Sequence, residues 1–129
     1  MPDRKVCRLR GAMEFLRTVD FERLAASGGK ESQQLLGNDP GVTSCTVNCI
    51  KTPPGDRPPA TVYTHPFDQL FYVLSGTMSL EIGGNKHEAG PGTLVVLPAG
   101  VPHRNWNGGS EPTLHLVIEP DMPYIQMVG

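Results

Sequence analysis

The chain has 129 residues, with 11 Lys+Arg against 13 Asp+Glu and a formal net charge of −2. That length sets one domain over residues 1–129, and a pI near 6.0 excludes the basic field that would gather nucleic acid or an anionic membrane. The 15 Gly and 13 Pro suit short strands joined by turns, which favours an all-β sandwich or barrel over a helical bundle.

Met1 to Arg10 carries Arg4, Lys5, Arg8 and Arg10 with no apolar stretch behind them, so it does not read as a secretory leader. No apolar run approaches the ~18 residues of a membrane span. Cys7, Cys45 and Cys49 are odd in number and read as free thiols of a reducing compartment, so the expected location is cytoplasmic. Met13 to Val19 reads as an early strand. Asp20 is a helix N-cap, and the short helix Phe21 to Ala26 is stopped by Gly28-Gly29. Gln33 to Leu36 is a brief strand before the turn residues Gly37 to Gly41. Residues 1–40 thus form an N-terminal strand and helix segment, 41–119 the core of the domain and 120–129 a C-terminal tail.

Val42 to Lys51 alternates and gives a longer strand. It puts Cys45 and Cys49 on one face; no second ligand pair for zinc accompanies them, so they read as small buried hydrophobes. The proline-rich loop Thr52 to Ala60 is too stiff for a central strand. A short extended piece, Thr61 to His65, follows. Gln69 to Leu74 and Thr77 to Ile82 are strands on either side of Ser75-Gly76. Gly83-Gly84-Asn85 is a hairpin turn, and Lys86 to Ala89 pairs back. Thr93 to Leu97 is an apolar, β-branched run and hence a buried strand. Pro98, Gly100 and Pro102 then force a turn that delivers His103 at the start of another strand. A turn at Asn107 to Pro112 leads to the last strand, Thr113 to Glu119. The tail keeps Tyr124, Ile125, Met127 and Val128, apolar enough to pack on its own barrel or on a second subunit.

Gly92, Pro98, Gly100, His103 and Asn107 fill the pattern G-x5-P-x-G-x2-H-x3-N. This resembles the second characteristic motif of the cupins. The first cupin motif, G-x5-H-x-H-x3,4-E-x6-G, is met at its closing Gly76. Gln69 stands at its glutamate, His65 at its second histidine and Tyr63 at its first, with Gly55 as a leading glycine at a longer spacing. The resemblance runs over roughly residues 40–120. It implies an all-β, jelly-roll barrel of two antiparallel sheets with one short N-terminal helix. It also implies a metal site on Tyr63, His65, Gln69 and His103 inside the barrel near its mouth, and a homodimer formed through one sheet. Two of the four ligand positions, 63 and 69, depart from the family pattern.

Those departures set the expected chemistry. Tyr63 and His65 are two apart on an extended piece and face one way. Two imidazoles bind most first-row divalent metals, and Gln69 adds a neutral carbonyl oxygen. A tyrosine binds well only as a phenolate, against an ordinary pKa of ~10; otherwise Tyr63 donates a hydrogen bond to a bound water or substrate. The lower negative charge predicts weaker affinity and a preference for Zn, Ni or Cu over Mn, with Fe open because a phenolate suits Fe(III). His115, in phase with Thr113 and Val117, is a candidate proton shuttle. The expectation is a metal-dependent enzyme on a small oxygenated metabolite, by Lewis-acid (isomerase or lyase) or dioxygenase chemistry. Tyr63 would be the general acid and His115 the base. The alternative is a binding or sensing module, with or without metal.

Overall fold

The computed structural model describes residues 14–37, 39, 44–55 and 57–120. Residues 1–13, Cys7 and Met13 among them, residues 40–43 and the tail beyond Pro120 lie outside the described residues. Among those described there are one helix and eight strands: α1 (Phe21–Ala26), β1 (Glu31–Leu36), β2 (Cys45–Thr52), β3 (Gln69–Ser75), β4 (Met78–Ile82), β5 (Asn85–Ala89), β6 (Leu94–Leu97), β7 (His103–Trp106) and β8 (Thr113–Pro120).

The strands form a five-stranded sheet in the order β1-β2-β8-β3-β6 and a three-stranded sheet in the order β5-β4-β7. All pairings between strands are antiparallel. Period-two alternation decides which side chains go between the sheets. On β3, Gln69, Phe71 and Val73 are buried while Tyr72 is exposed; on β8, Thr113, His115 and Val117 are buried. Met78 and Leu80 of β4 come from the opposite sheet. With Phe71, Val73, Ala89, Val95, Leu97 and Val117 they close one core. The two-sheet, all-β expectation with one short helix is met.

The helix forms as its N-cap predicts: Asp20 accepts a hydrogen bond from the Arg23 backbone N–H. Leu24, fully buried, is the residue that docks it. Lys51 reaches from β2 and donates through Nζ to the carbonyls of Leu24 (2.8 Å) and Ser27 (2.6 Å), closing the helix C-terminus. The expected strand from Met13 to Val19 does not form over residues 14–19. Phe15 and Leu16 are 86% and 92% exposed. Arg17 is held instead by the Leu35 carbonyl and the Asp39 carboxylate. An apolar pair alone does not make a strand; it needs a free sheet edge in register. Cys45 and Cys49 both lie on β2, and burial raises the Cys49 thiol pKa, which suits an inert hydrophobe. No helix among the described residues is long and apolar enough to cross a membrane.

Candidate functional site

The turn between β6 and β7 builds the first half of the site. Gly100 takes φ 83°, a left-handed value open to glycine, and its N–H donates to the His65 carbonyl at 2.8 Å. Further along, Tyr63 and His103 stand opposite each other and exchange both backbone hydrogen bonds (2.8 and 2.9 Å). The segment 63–65 is thereby pinned along the start of β7. The rings of His65 and His103 lie 5.2 Å apart, tilted by 52°, and His65 stacks on Phe67 at 4.9 Å. His103 is buried, with Nδ1 3.2 Å from the Val101 carbonyl. That contact places the ring proton on Nδ1 and leaves the Nε2 lone pair for a ligand, the usual arrangement of a metal-binding histidine. Tyr63 is half exposed.

The second half is a polar cavity of about 400 Å3 between the sheets. Its walls are Asn48, Ile50 and Thr52 from β2, Gln69 and Phe71 from β3, Asn105 from β7, and His115, Val117 and Glu119 from β8; Lys30 and Ser32 add the β1 side. The turn before β3 is held by Asp68, which accepts from the Ala99 N–H at 2.9 Å, so Gln69 enters the sheet opposite Leu97. The Gln69 side chain donates through Nε2 to Glu119 Oε2 at 2.8 Å. Its Oε1 is buried without a partner, and so is His115 Nδ1. The His115 ring meets Phe71 edge-on at 5.0 Å. Burial, helped by the positive charge of Lys30, lowers the His115 pKa to about 4.

Tyr63, His65 and His103 are thus brought together by backbone pairing, while Gln69 and His115 share the cavity. The imidazole pair is not among the residues that line that cavity. Among the described residues no three His, Cys, Asp or Glu side chains stand close enough to hold a metal. Any metal here must draw on the Gln69 amide or the Tyr63 phenol. The donors it would draw on are the His103 imidazole and the His65 ring beside it, on the paired segments before and at β7, and the unpartnered Gln69 amide oxygen on the cavity side. His115 is in place as a cavity residue, but a ring of such low basicity is neutral at pH 7 and a poor base there. Glu119, Asn48 and Asn105 escaped the sequence reading. The signal for Glu119 was present, since it continues the inward phase of Thr113, His115 and Val117.

A cupin-domain family model matches residues 49–119, more than half of the chain. No curated protein matches it. Among solved structures it is similar to the polyketide cyclase RemF from Streptomyces resistomycificus, with 25% identity and a TM-score of 0.62 over 72% of this chain and 66% of that one. A sugar phosphate isomerase of the cupin superfamily from Silicibacter pomeroyi is 26% identical (TM-score 0.61), covering 74% of this chain and 61% of its own. The chain therefore spans about two thirds or less of these two proteins. An RmlC-like cupin from Methanocaldococcus jannaschii, with a double-stranded β-helix fold, aligns over 91% of this chain and 99% of its own at 17% identity and a TM-score of 0.68. Together with the strand–turn–strand that carries His103, the matched family model shows that the chain belongs to the cupin family.

Proposed function

We propose that this cupin is an enzyme acting on a small oxygenated metabolite, with one divalent transition metal held by His65, His103 and Gln69 and with Tyr63 beside it. The observation that carries this reading is the buried Gln69 Oε1, left without a hydrogen-bond partner beside a cavity whose polar wall includes Asn48, Thr52, Asn105, His115 and Glu119. When bound, such a metal supplies a Lewis acid that polarises a carbonyl or hydroxyl oxygen. Asn48, Thr52 and Asn105 offer donors and acceptors that orient a hydroxylated substrate. Lys30 favours negative charge on that substrate. Tyr63, half exposed, is the group able to hand over a proton from the solvent side. His115 serves as a neutral hydrogen-bonding ring. The similarity to a polyketide cyclase and a sugar phosphate isomerase supports non-redox chemistry over oxygenation. A polar cavity with titratable walls favours an enzyme over a binding module.

Elemental analysis of tag-free protein, before any chelator, is the test, followed by incubation of the loaded protein with hydroxyketones, aldoses and dicarbonyls in D2O. About one metal per chain, lost in His103→Ala, with deuterium entering beside the substrate carbonyl, is the expected result. Protein that stays empty after soaking with Zn, Ni or Fe refutes the metal. Oxygen consumption would instead support dioxygenase chemistry, and tight binding without turnover a sensor.

The same reading includes a homodimer in the cytoplasm. The outer face of the five-stranded sheet carries Tyr72, Leu94 and Val96 exposed, with Leu70, Leu116 and Ile118 half-buried beside them. An apolar face of this kind suits a second copy of the chain. Light scattering on wild type and Val96→Lys distinguishes dimer from monomer. Free Cys45 and Cys49 suit a reducing compartment.

A further inference from the structure

Residue 69 is a glutamine where the cupin pattern has a glutamate. A carboxylate has nonetheless reached it from the neighbouring strand. Leu70 pairs with Ile118 across β3 and β8, so Gln69 and Glu119 stand opposite each other at the next step of the ladder. Opposed residues of an antiparallel pair point to the same face, within side-chain reach. Both line the barrel cavity, and Gln69 Nε2 donates to Glu119 Oε2 at 2.8 Å.

The two groups are unequal. An ionised carboxylate only accepts hydrogen bonds, whereas an amide has one accepting and one donating end. Turning the Gln69 amide over would set oxygen against oxygen. Glu119 therefore dictates which end of Gln69 faces away from it, and that end is the buried, unpartnered Oε1. We propose that Glu119 is the positioning residue of this site. Its carboxylate holds the Gln69 amide nitrogen and so presents the Gln69 carbonyl oxygen to a divalent cation. It thereby returns, from across the strand pair, the carboxylate that position 69 lacks.

The proposal rests on the metal reading above. It differs from a merely structural cross-strand hydrogen bond in what it predicts for metal affinity. The experiment is a Zn(II) titration of wild type, Glu119→Gln, Gln69→Glu and the double swap Gln69→Glu/Glu119→Gln, with thermal unfolding of each protein followed without metal. In Glu119→Gln the partner has its own donor and acceptor, so the Gln69 amide is free to turn. Zn affinity is expected to fall roughly 10- to 100-fold, the usual loss when the group behind a ligand is removed. The double swap rebuilds the pair with polarity reversed: the amide now on β8 donates to the carboxylate now on β3, whose other oxygen faces the cation. Its Zn affinity is expected to return to within about threefold of wild type or to exceed it. Gln69→Glu alone sets two carboxylates face to face and is expected to unfold at lower temperature than the double swap.

Should Glu119→Gln not fold, the wild type carries the test alone. The Gln69 side-chain amide resonance is expected to shift on Zn addition because its carbonyl oxygen binds the ion. An unmoved resonance overturns the proposal. A Glu119→Gln protein with a lowered melting temperature but unchanged Zn affinity overturns it too, while leaving the metal site standing. A wild type that takes up no Zn, Ni or Fe removes the metal reading and this proposal together.

Discussion

His115 provides a direct measure of how dry the barrel interior is. The residue is 3% exposed, its ring lies edge-on to Phe71, and its Nδ1 has no hydrogen-bond partner. Burial, and then the charge of Lys30, hold its pKa at about 4 against 6.5 for an unburied histidine. Between pH 6.5 and 4 the unfolded chain binds a proton there that the folded chain does not. The contribution of His115 to stability is thus complete above pH 6.5, declines as the pH falls towards 4, and is flat below. At ~1.4 kcal/mol per pH unit the full span amounts to about 3 kcal/mol. The assay is urea unfolding of wild type and His115→Gln from pH 7.5 to pH 3.5, with EDTA present so that metal binding does not enter. Glu31 and Asp39, whose pKa values are lowered by hydrogen bonds from Arg23 and Arg17, also lose stability in acid. They are common to both proteins and cancel in the difference. Wild type is expected to lose about 3 kcal/mol more than His115→Gln on going from pH 7 to pH 4. Parallel curves would refute the reasoning, because they would mean that water or a counter-charge reaches the ring in the folded protein.

Three further substitutions test the frame that carries the site. Lys51→Met removes the ammonium that caps α1 on the Leu24 and Ser27 carbonyls; it is expected to cost about 2 kcal/mol in urea unfolding and to speed amide exchange within α1. Gly76→Ala puts a methyl group against the Pro112 carbonyl oxygen and 2.9 Å from Thr113 Cα, at a φ of 77°. A loss of more than about 2 kcal/mol is expected, and a smaller one would show that the β3–β4 turn gives way easily. Asn107→Ala deletes donors to Thr52 O and Glu111 O and the acceptor for the Gly109 N–H, all at a residue 1% exposed. It is expected to lower stability by about 2–4 kcal/mol, read from the urea midpoint, with metal content per folded chain unchanged.

Local pattern foretold most elements because local physics makes them. Asp20 caps α1, the alternation of Gln69, Phe71 and Val73 marks one face of β3, and Pro98 with Gly100 ends β6, all within a few residues. What could not be read locally is which strands become neighbours. β8 inserts between β2 and β3, and that pairing alone brings Glu119 to Gln69 and His115 opposite Val73. Such contacts span 50 residues in the case of Gln69 and Glu119. Phe15 and Leu16 show the converse error. Their apolar character suggests a strand, but Arg17 anchors the segment through Leu35 and Asp39 instead, and the apolar pair is left in solvent.

The motif itself divides along physical lines. Of the five matched positions in the second motif, Gly92 and Gly100 take φ values of 84° and 83°, Pro98 ends β6, and Asn107 ties Thr52, Gly109 and Glu111 together. Four of the five residues therefore serve the chain path, and His103 alone contributes a buried ring that can coordinate or titrate. The substituted positions of the first motif, Tyr63 and Gln69, are of the other kind: their backbones pair with His103 and Leu97, and that pairing asks nothing particular of the side chain. This is why matching residues carry the fold so far and the reaction so little. The backbone path constrains the glycines, the proline and the asparagine clip directly, so in this chain they are tied to the barrel itself. A cavity-lining side chain such as Gln69 answers instead to what the neighbouring strand brings, here the Glu119 carboxylate that β8 places 2.8 Å from its amide nitrogen.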